Sequence, residues 1–316
     1  MKIGFDFNTI KAGKRYDATN PITKAMLTLF ETCQSTKHEV TRAEDADVVF
    51  VFGSITIRKP NTERAIRIQK WRDQGKHILS LDSGLFGTYM RASNQTNESN
   101  YFRIGYGDCV GTGDFFNEGS EKNRYISIKN SFSFEEANEK VDGDAPILFL
   151  GQSEKGWQYN NKEDYWSWAR KVVGVIRSKT SRRIIFRTHP NTDRHPVEWI
   201  TSGFENIEVV NSDRSRRSAI NDIRRAGMVV THSSSAAVES IVEGIPTIVL
   251  DPRGMGYDFC WNDLENINHP EKFDWSKRPQ QLNDWAFTSW SLKEMENKRT
   301  LMRYLDRIEE FQNEEN

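Results

Sequence analysis

The residue types able to do chemistry gather where apolar runs stop. Val229-Val230 runs into Thr231-His232-Ser233-Ser234-Ser235 and then Ala236-Ala237-Val238-Glu239. A strand that opens through small hydroxyl residues into a helix offers an anion free backbone N–H groups and the positive end of a dipole. Small side chains let a phosphate approach the backbone. The hydroxyls of Ser233, Ser234 and Ser235 add donors, and Glu239, about one turn into the helix, can accept from sugar hydroxyls. The plainer alternative is that Ser233 is an N-cap and the small residues pack a helix on a sheet.

Three further segments have the same character. Arg187-Thr188-His189-Pro190 follows the apolar run 183–186. There His189 can donate to a phosphate or move a proton, and Arg187 adds a fixed positive charge. Gly151-Gln152-Ser153-Glu154-Lys155-Gly156-Trp157 follows the run 147–150. Its glycines permit close backbone approach to a ligand, Lys155 supplies charge and Trp157 can stack on a base. Gly244-Ile245-Pro246 stops a helix before an apolar run that ends at Asp251, with Arg253 beyond it.

These segments need a scaffold that brings strand ends together. In residues 1–90 strands are expected over 2–7, 47–52 and 77–81, with helices over 21–33 and 62–74. The run Asp47–Phe52 is apolar on both faces, as a buried parallel strand requires. Residues 101–106 read as another strand, and the acidic stretch 131–146 as a linker. The alternation then restarts. Strands are expected over 147–150, 183–186, 207–210, 228–230 and 246–250, helices over 163–178, 218–226 and 233–243, and a long amphipathic helix over 292–311. This order implies α/β architecture with open parallel sheets, in which ligands lie outside the carboxyl ends of the strands.

Composition narrows the class. The chain has 316 residues, 36% of them hydrophobic, which supports about two domains and excludes wholesale disorder. No apolar run approaches the roughly 20 residues of a membrane span, and the N-terminus lacks a signal peptide's apolar segment. Three dispersed cysteines give neither a disulfide framework nor a zinc spacing. The expectation is a cytoplasmic protein. Lys and Arg number 44 against 45 Asp and Glu, a net charge of −1 that leaves room for a local basic groove.

The stretch 186–257 resembles the donor-binding half of GT-B glycosyltransferases, in particular the capsule-polysaccharide transferases and polyol-phosphate polymerases. The likeness lies in Arg187-Thr188-His189-Pro190 after one strand, Ser233-Ser234-Ser235 after another, and Glu239 followed by Gly244-Ile245-Pro246. It implies two facing Rossmann-like domains: 1–140 for the acceptor, 141–290 for a nucleotide-sugar donor, and 291–316 as a helix crossing back to the first. It also implies a nucleotide-sugar donor, with a UDP-sugar favoured, and no cofactor. No Asp-x-Asp pair follows a strand in the second half, so no metal is expected. Basic side chains and a helix start would stabilise the leaving group instead.

Under that resemblance an inverting transfer needs a general base, for which Asp82, Asp6 and Asp114 are candidates beside His189. Each aspartate can equally form a turn or a cap. Retention, which can proceed without a base, stays open. For the acceptor, the absence of a membrane element narrowly favours a hydroxymethylated pyrimidine in DNA, as modified by some phage enzymes of GT-B architecture, over a surface polysaccharide. Gly53, Ser54, Arg58, Arg103 and Tyr106 are the acceptor-side candidates. The clusters Arg182-Arg183, Arg214-Ser215-Arg216-Arg217 and Arg224-Arg225 can hold phosphates. A nucleotide-sugar epimerase and a non-catalytic nucleotide-sugar binder are the competing classes.

Overall fold

The structure, a computed structural model, describes residues 1–8, 20–55, 62–87, 89, 101–121, 123–153, 163–190, 197–212 and 219–314. It divides into two compact units, one of Met1–Ser133 with Asn283–Asn316 and one of Phe134–Leu282.

The first unit is built on strands β1 (Lys2–Phe5), β2 (Glu39–Thr41), β3 (Val48–Phe52), β4 (His77–Ser83), β5 (Tyr101–Tyr106) and β11 (Ser289–Ser291). Their order in the sheet is β11-β5-β4-β3-β1-β2. β2, β1, β3 and β4 run parallel, while β5 is antiparallel to β4, and β11 to β5. Val48, Val49, Phe50 and Val51 are wholly buried, because helices cover both faces.

Helix α1 (Pro21–Gln34) begins where Asn20 accepts from Ile22 N and proline fixes the first turn. Helix α2 (Glu63–Asp73) is capped by Thr62 and stops before Gly75, whose φ is 72°. α3 (Asn123–Phe132) precedes the second unit.

The helix expected over 292–311 is two helices here. α9 (Leu292–Met295) opens with a capping box between Ser291 and Glu294, and α10 (Lys298–Glu314) follows. Leu301, Tyr304, Leu305 and Ile308 of α10 recur at helical spacing and are buried in the same core as α1, β1 and β3. The C-terminal helix therefore belongs to the first unit.

The second unit holds a wholly parallel sheet of β6 (Ile147–Leu150), β7 (Ile184–Arg187), β8 (Ile207–Val210), β9 (Met228–Thr231) and β10 (Thr247–Val249). Its order is β10-β9-β6-β7-β8. One face packs on α4 (Tyr165–Lys179), whose N-cap Asp164 accepts from Trp166 N and Ser167 N. The other face meets α6 (Ile220–Arg225) and the residues around α7 (Ala236–Val242). α5 (Val197–Thr201) and α8 (Arg278–Ala286) complete the described helices.

The acidic stretch read as a linker is partly laid on the second unit. Ala137 N donates to Val242 O at 3.0 Å, and Lys140 N to Gly244 O at 2.8 Å. A Cβ at Gly244 would fall 2.1 Å from Asn138 O, and the residue's φ is 69°, so only glycine suits the position.

In each sheet the strand order reverses at one place, between β1 and β3 in the first unit and between β6 and β9 in the second. The crevice outside the carboxyl ends at such a switch point is where open α/β sheets bind ligands. The two parallel-rich sheets with their helices agree with the Rossmann-like units of the GT-B class implied by the sequence.

Candidate functional site

In the second unit, Gly151, Gln152 and Ser153 leave β6 at the switch point, and Thr231 to Ser235 leave β9 beside them. Gly151 must be glycine, since a Cβ would meet Arg187 O at 2.8 Å. Gln152 N donates to the Tyr165 hydroxyl at 2.7 Å, which ties the exit of β6 to the first turn of α4. The Gln152 side chain is buried, with Nε2 3.4 Å from Ser233 Oγ.

Ser233 Oγ lies 3.1 Å from Nδ1 of His232, and Nε2 of His232 lies 3.5 Å from Asp251 Oδ2. Arg253 grips Asp251 through Nε at 2.6 Å and Nη2 at 2.5 Å, and also donates its backbone N at 2.9 Å. Gln152, Ser233, His232, Asp251 and Arg253 thus form a polar row across the carboxyl ends of β6, β9 and β10. Burial pushes the His232 imidazole down to about 4. Burial alone would raise the Asp251 carboxyl, but its hydrogen bonds from Arg253 outweigh that and hold it below the usual carboxylate range.

The serine run differs from the sequence expectation. α7 starts at Ala236 and has seven residues, so it brings little macrodipole, and Ser235 makes no side-chain cap bond. Ser234 Oγ accepts from Ala236 N at 3.2 Å and is half-buried, while Ser235 is exposed. Glu239 is buried in α7. His189, two residues past the end of β7, is half-buried, and its pKa is lowered by burial. Arg187 forms a buried ion pair with Asp222 of α6. Lys155 and Trp157 lie outside the described residues.

The first unit has its own cluster at the carboxyl edge. Asp6 follows β1 at the switch point, wholly buried, with Arg67 Nη2 at 2.9 Å. Gly53 leaves β3 with φ 79°, and Arg64 binds the carbonyls of Phe52, Gly53 and Ser54 at 2.8 to 2.9 Å. Ser54 Oγ donates to Asp108 Oδ2 at 2.9 Å. Asp82, in β4, takes Arg103 Nη2 at 3.2 Å from the paired position on β5. Cys109 Sγ lies 4.0 Å from Asp82, with its thiol pushed far up by burial and by that carboxylate.

The loop carrying Asp108 and Cys109 folds back over Gly105 and Gly113. A Cβ at either glycine would come within 2.0 Å or 1.8 Å, respectively, of Asp108 O. Asp108 carries no local signal in the sequence, because nothing nearby marks a loop that doubles back. His232 does carry one, as a histidine that directly follows an apolar strand.

Two candidates sit elsewhere. Tyr106 pairs with Leu79, and its hydroxyl lies 2.9 Å from Nδ1 of His77, the first residue of β4. Its ring packs on Phe116 and Phe311. Asp114 bridges to Tyr106 and accepts from Phe116 N at 2.8 Å. Both therefore stand at the amino end of β4, away from the carboxyl edge, because β5 runs antiparallel and carries its last residue to the opposite side.

The described arginines of these clusters all have partners in the fold, though Arg183, Arg224 and Arg225 stay exposed. Arg182 binds the carbonyls of Ala145 and Ile267, Arg183 pairs with Glu208, and Arg224 grips Glu243. Arg225 lies near Asp222 and Glu208. Arg58 and the cluster 214–217 lie outside the described residues. Among the described residues, no group of three or more His, Cys, Asp or Glu gathers as a metal site, and no helix is long and apolar enough to cross a membrane.

No protein-family model matches the chain, and no curated protein matches its sequence. Solved structures do match. A beta Kdo 2,4 transferase, KpsC from Thermosulfurimonas dismutans, aligns over 92% of this chain and 91% of its own at 12% identity with a TM-score of 0.51. The beta Kdo 2,7 transferase of the same organism's KpsC aligns over 96% and 99% at 11% identity, TM-score 0.49. A UDP-GlcNAc 2-epimerase of Methanocaldococcus jannaschii, in complex with UDP-GlcNAc and UDP, covers 92% and 81% at 14% identity, TM-score 0.34. The first of these likenesses shows the fold: an α/β protein of two Rossmann-like units.

Proposed function

We propose that this chain is a glycosyltransferase that binds a nucleotide sugar at the carboxyl edge of the Phe134–Leu282 sheet and passes the sugar to an acceptor hydroxyl without a metal ion. The observation that carries this reading is the buried polar row Gln152, Ser233, His232 and Asp251 at the switch point between β6 and β9. A core excludes such groups unless they are mutually satisfied, and here they line the place where an α/β sheet takes a ligand. Around the row, His189, Ser234 and Ser235 retain exposure and offer donors to the diphosphate. Glu239 suits the hydroxyls of the sugar or ribose, and a uridine nucleotide is the favoured donor.

In the first unit Asp82 is the better base. Its side chain keeps 17% exposure beside Arg103, whereas Asp6 keeps none. A base must reach its hydroxyl.

The acceptor we favour is a saccharide hydroxyl; the solved structure that shares this fold is a beta Kdo 2,4 transferase. With Arg182 held by backbone carbonyls, and Arg183 and Arg224 in exposed ion pairs with Glu208 and Glu243, a hydroxymethylated pyrimidine in DNA has the weaker support.

Mass spectrometry of reactions containing UDP-, CMP- and GDP-sugars, run separately with saccharide acceptors and with hydroxymethylated DNA, decides among these. A glycan mass increase supports the proposal, and an increase on the DNA base moves the acceptor to nucleic acid. Interconversion of UDP-sugars without acceptor indicates an epimerase. No consumption of any donor overturns the reading.

A further inference from the structure

His232 was not among the residues the sequence singled out, and its surroundings fix its chemistry. The ladder between β9 and β10 continues past both strands, with Leu250 N donating to Thr231 O and Asp251 N to His232 O, each at 3.0 Å. This continuation sets the His232 ring beside the Asp251 carboxylate. Trp168 meets the ring edge on, with centroids 4.8 Å apart and planes at 83°. The ring is 2% exposed.

A neutral imidazole carries one N–H. A carboxylate only accepts, so the nitrogen facing Asp251, Nε2, bears the proton. Nδ1 is then an acceptor, and the Ser233 hydroxyl 3.1 Å away donates to it. Ser233 Oγ in turn faces the amide nitrogen of Gln152 as an acceptor.

We propose that His232 is a positioning residue for the donor site: Asp251 fixes its tautomer, the tautomer fixes the Ser233 hydroxyl, and Ser233 holds the Gln152 amide by its nitrogen. Two consequences follow. Ser233 is an acceptor whose proton goes to His232, so it is not a phosphate donor. The orientation of the buried Gln152 amide at the exit of β6 is set by this relay rather than by the ligand. The functional half of this inference rests on the donor-site reading above.

The test separates the two. In His232→Gln the side-chain amide can still reach Asp251 from the Nε2 position but has no acceptor for Ser233. In His232→Asn an oxygen takes the place of Nδ1 and the link to Asp251 is lost. Binding of UDP-glucose, CMP-N-acetylneuraminate and GDP-mannose is measured by calorimetry on both variants, with thermal melting as the check on folding. The expected result is about a tenfold loss of affinity in His232→Gln, against about twofold in His232→Asn. Equal losses, or none, overturn the functional role.

Independently, two-bond proton–nitrogen spectra of 15N-histidine protein at pH 7 report the tautomer, with the His232 signal assigned by its loss in His232→Gln. A neutral ring protonated on Nε2 is expected. A ring protonated on Nδ1, or a charged one, overturns the relay. If the wild type binds none of the nucleotide sugars, the proposed function fails and the spectra alone decide the relay.

Discussion

Arg187 and Asp222 face each other as an ion pair with both side chains buried, one at the end of β7 and the other in α6. A guanidinium that the sequence offered to a phosphate is therefore part of the packing between sheet and helix. Removing either partner takes the main counter-charge from a buried group, which costs up to about 3–5 kcal/mol, whereas replacing both with apolar residues is close to neutral. Urea unfolding of Arg187→Met, Asp222→Leu and the double variant checks this. Two unstable single variants and a recovered double variant are expected. A stable Arg187→Met that has lost nucleotide-sugar binding would return Arg187 to the donor site.

Stability should fall between pH 6.5 and pH 4. The His232 pKa drops from 6.5 to about 4 on folding, so the unfolded chain takes up a proton in that window while the folded chain does not. By linkage the folded state loses ground as pH falls, by about 3 kcal/mol in full. Burial lowers His189 and His38 as well, which adds in the same direction. Asp251, held below its ordinary value, contributes only at lower pH. Chemical denaturation at pH 7 and pH 5 should show the loss, and His232→Gln should reduce it.

Much of this was legible from local pattern. The run Asp47–Phe52 gave β3 because a strand buried on both faces has no polar alternation to disguise it, and Asn20 with Pro21 marked the start of α1. The row at the second sheet's edge was legible through Gly151, Gln152 and Ser233, since each ends or follows an apolar run.

What was not legible depends on distant partners. Nothing near Arg187 announces Asp222. Tyr106 reads as the end of a strand, but the antiparallel course of β5, fixed by pairing with β4 and β11, puts it at the wrong edge. Asp108 reaches Ser54 only because the loop doubles back across Gly105 and Gly113.

Arg124 anchors the C-terminal return. It forks onto Glu294 at 2.7 and 3.0 Å, donates to the carbonyls of Ala286 and Ser289, and lies 4.0 Å over the Trp290 ring. Lysine cannot reproduce that fork. Arg124→Lys and Arg124→Ala are both expected to lower stability, by about 2–4 kcal/mol, with little rescue by lysine. Thermal melting and protease sensitivity of the C-terminal helix measure it.

Asp82→Asn should lower kcat by about 10²–10⁴-fold while leaving donor affinity unchanged, since the carboxylate acts on the acceptor. Asp6→Asn should instead reduce stability, because it removes the buried partner of Arg67. A chelator should leave the rate unaltered. Initial rates with saturating donor, with and without EDTA, alongside melting curves, distinguish these outcomes.

The sheet edge of the Phe134–Leu282 unit is expected to hold a nucleotide sugar. Calorimetric titration of the wild type, His189→Ala and Glu239→Ala with UDP-, CMP- and GDP-sugars tests it most directly. One nucleotide class is expected to bind the wild type, and both variants to bind it at least about tenfold more weakly. Failure of every nucleotide sugar to bind, or equal affinity in all three proteins, contradicts it.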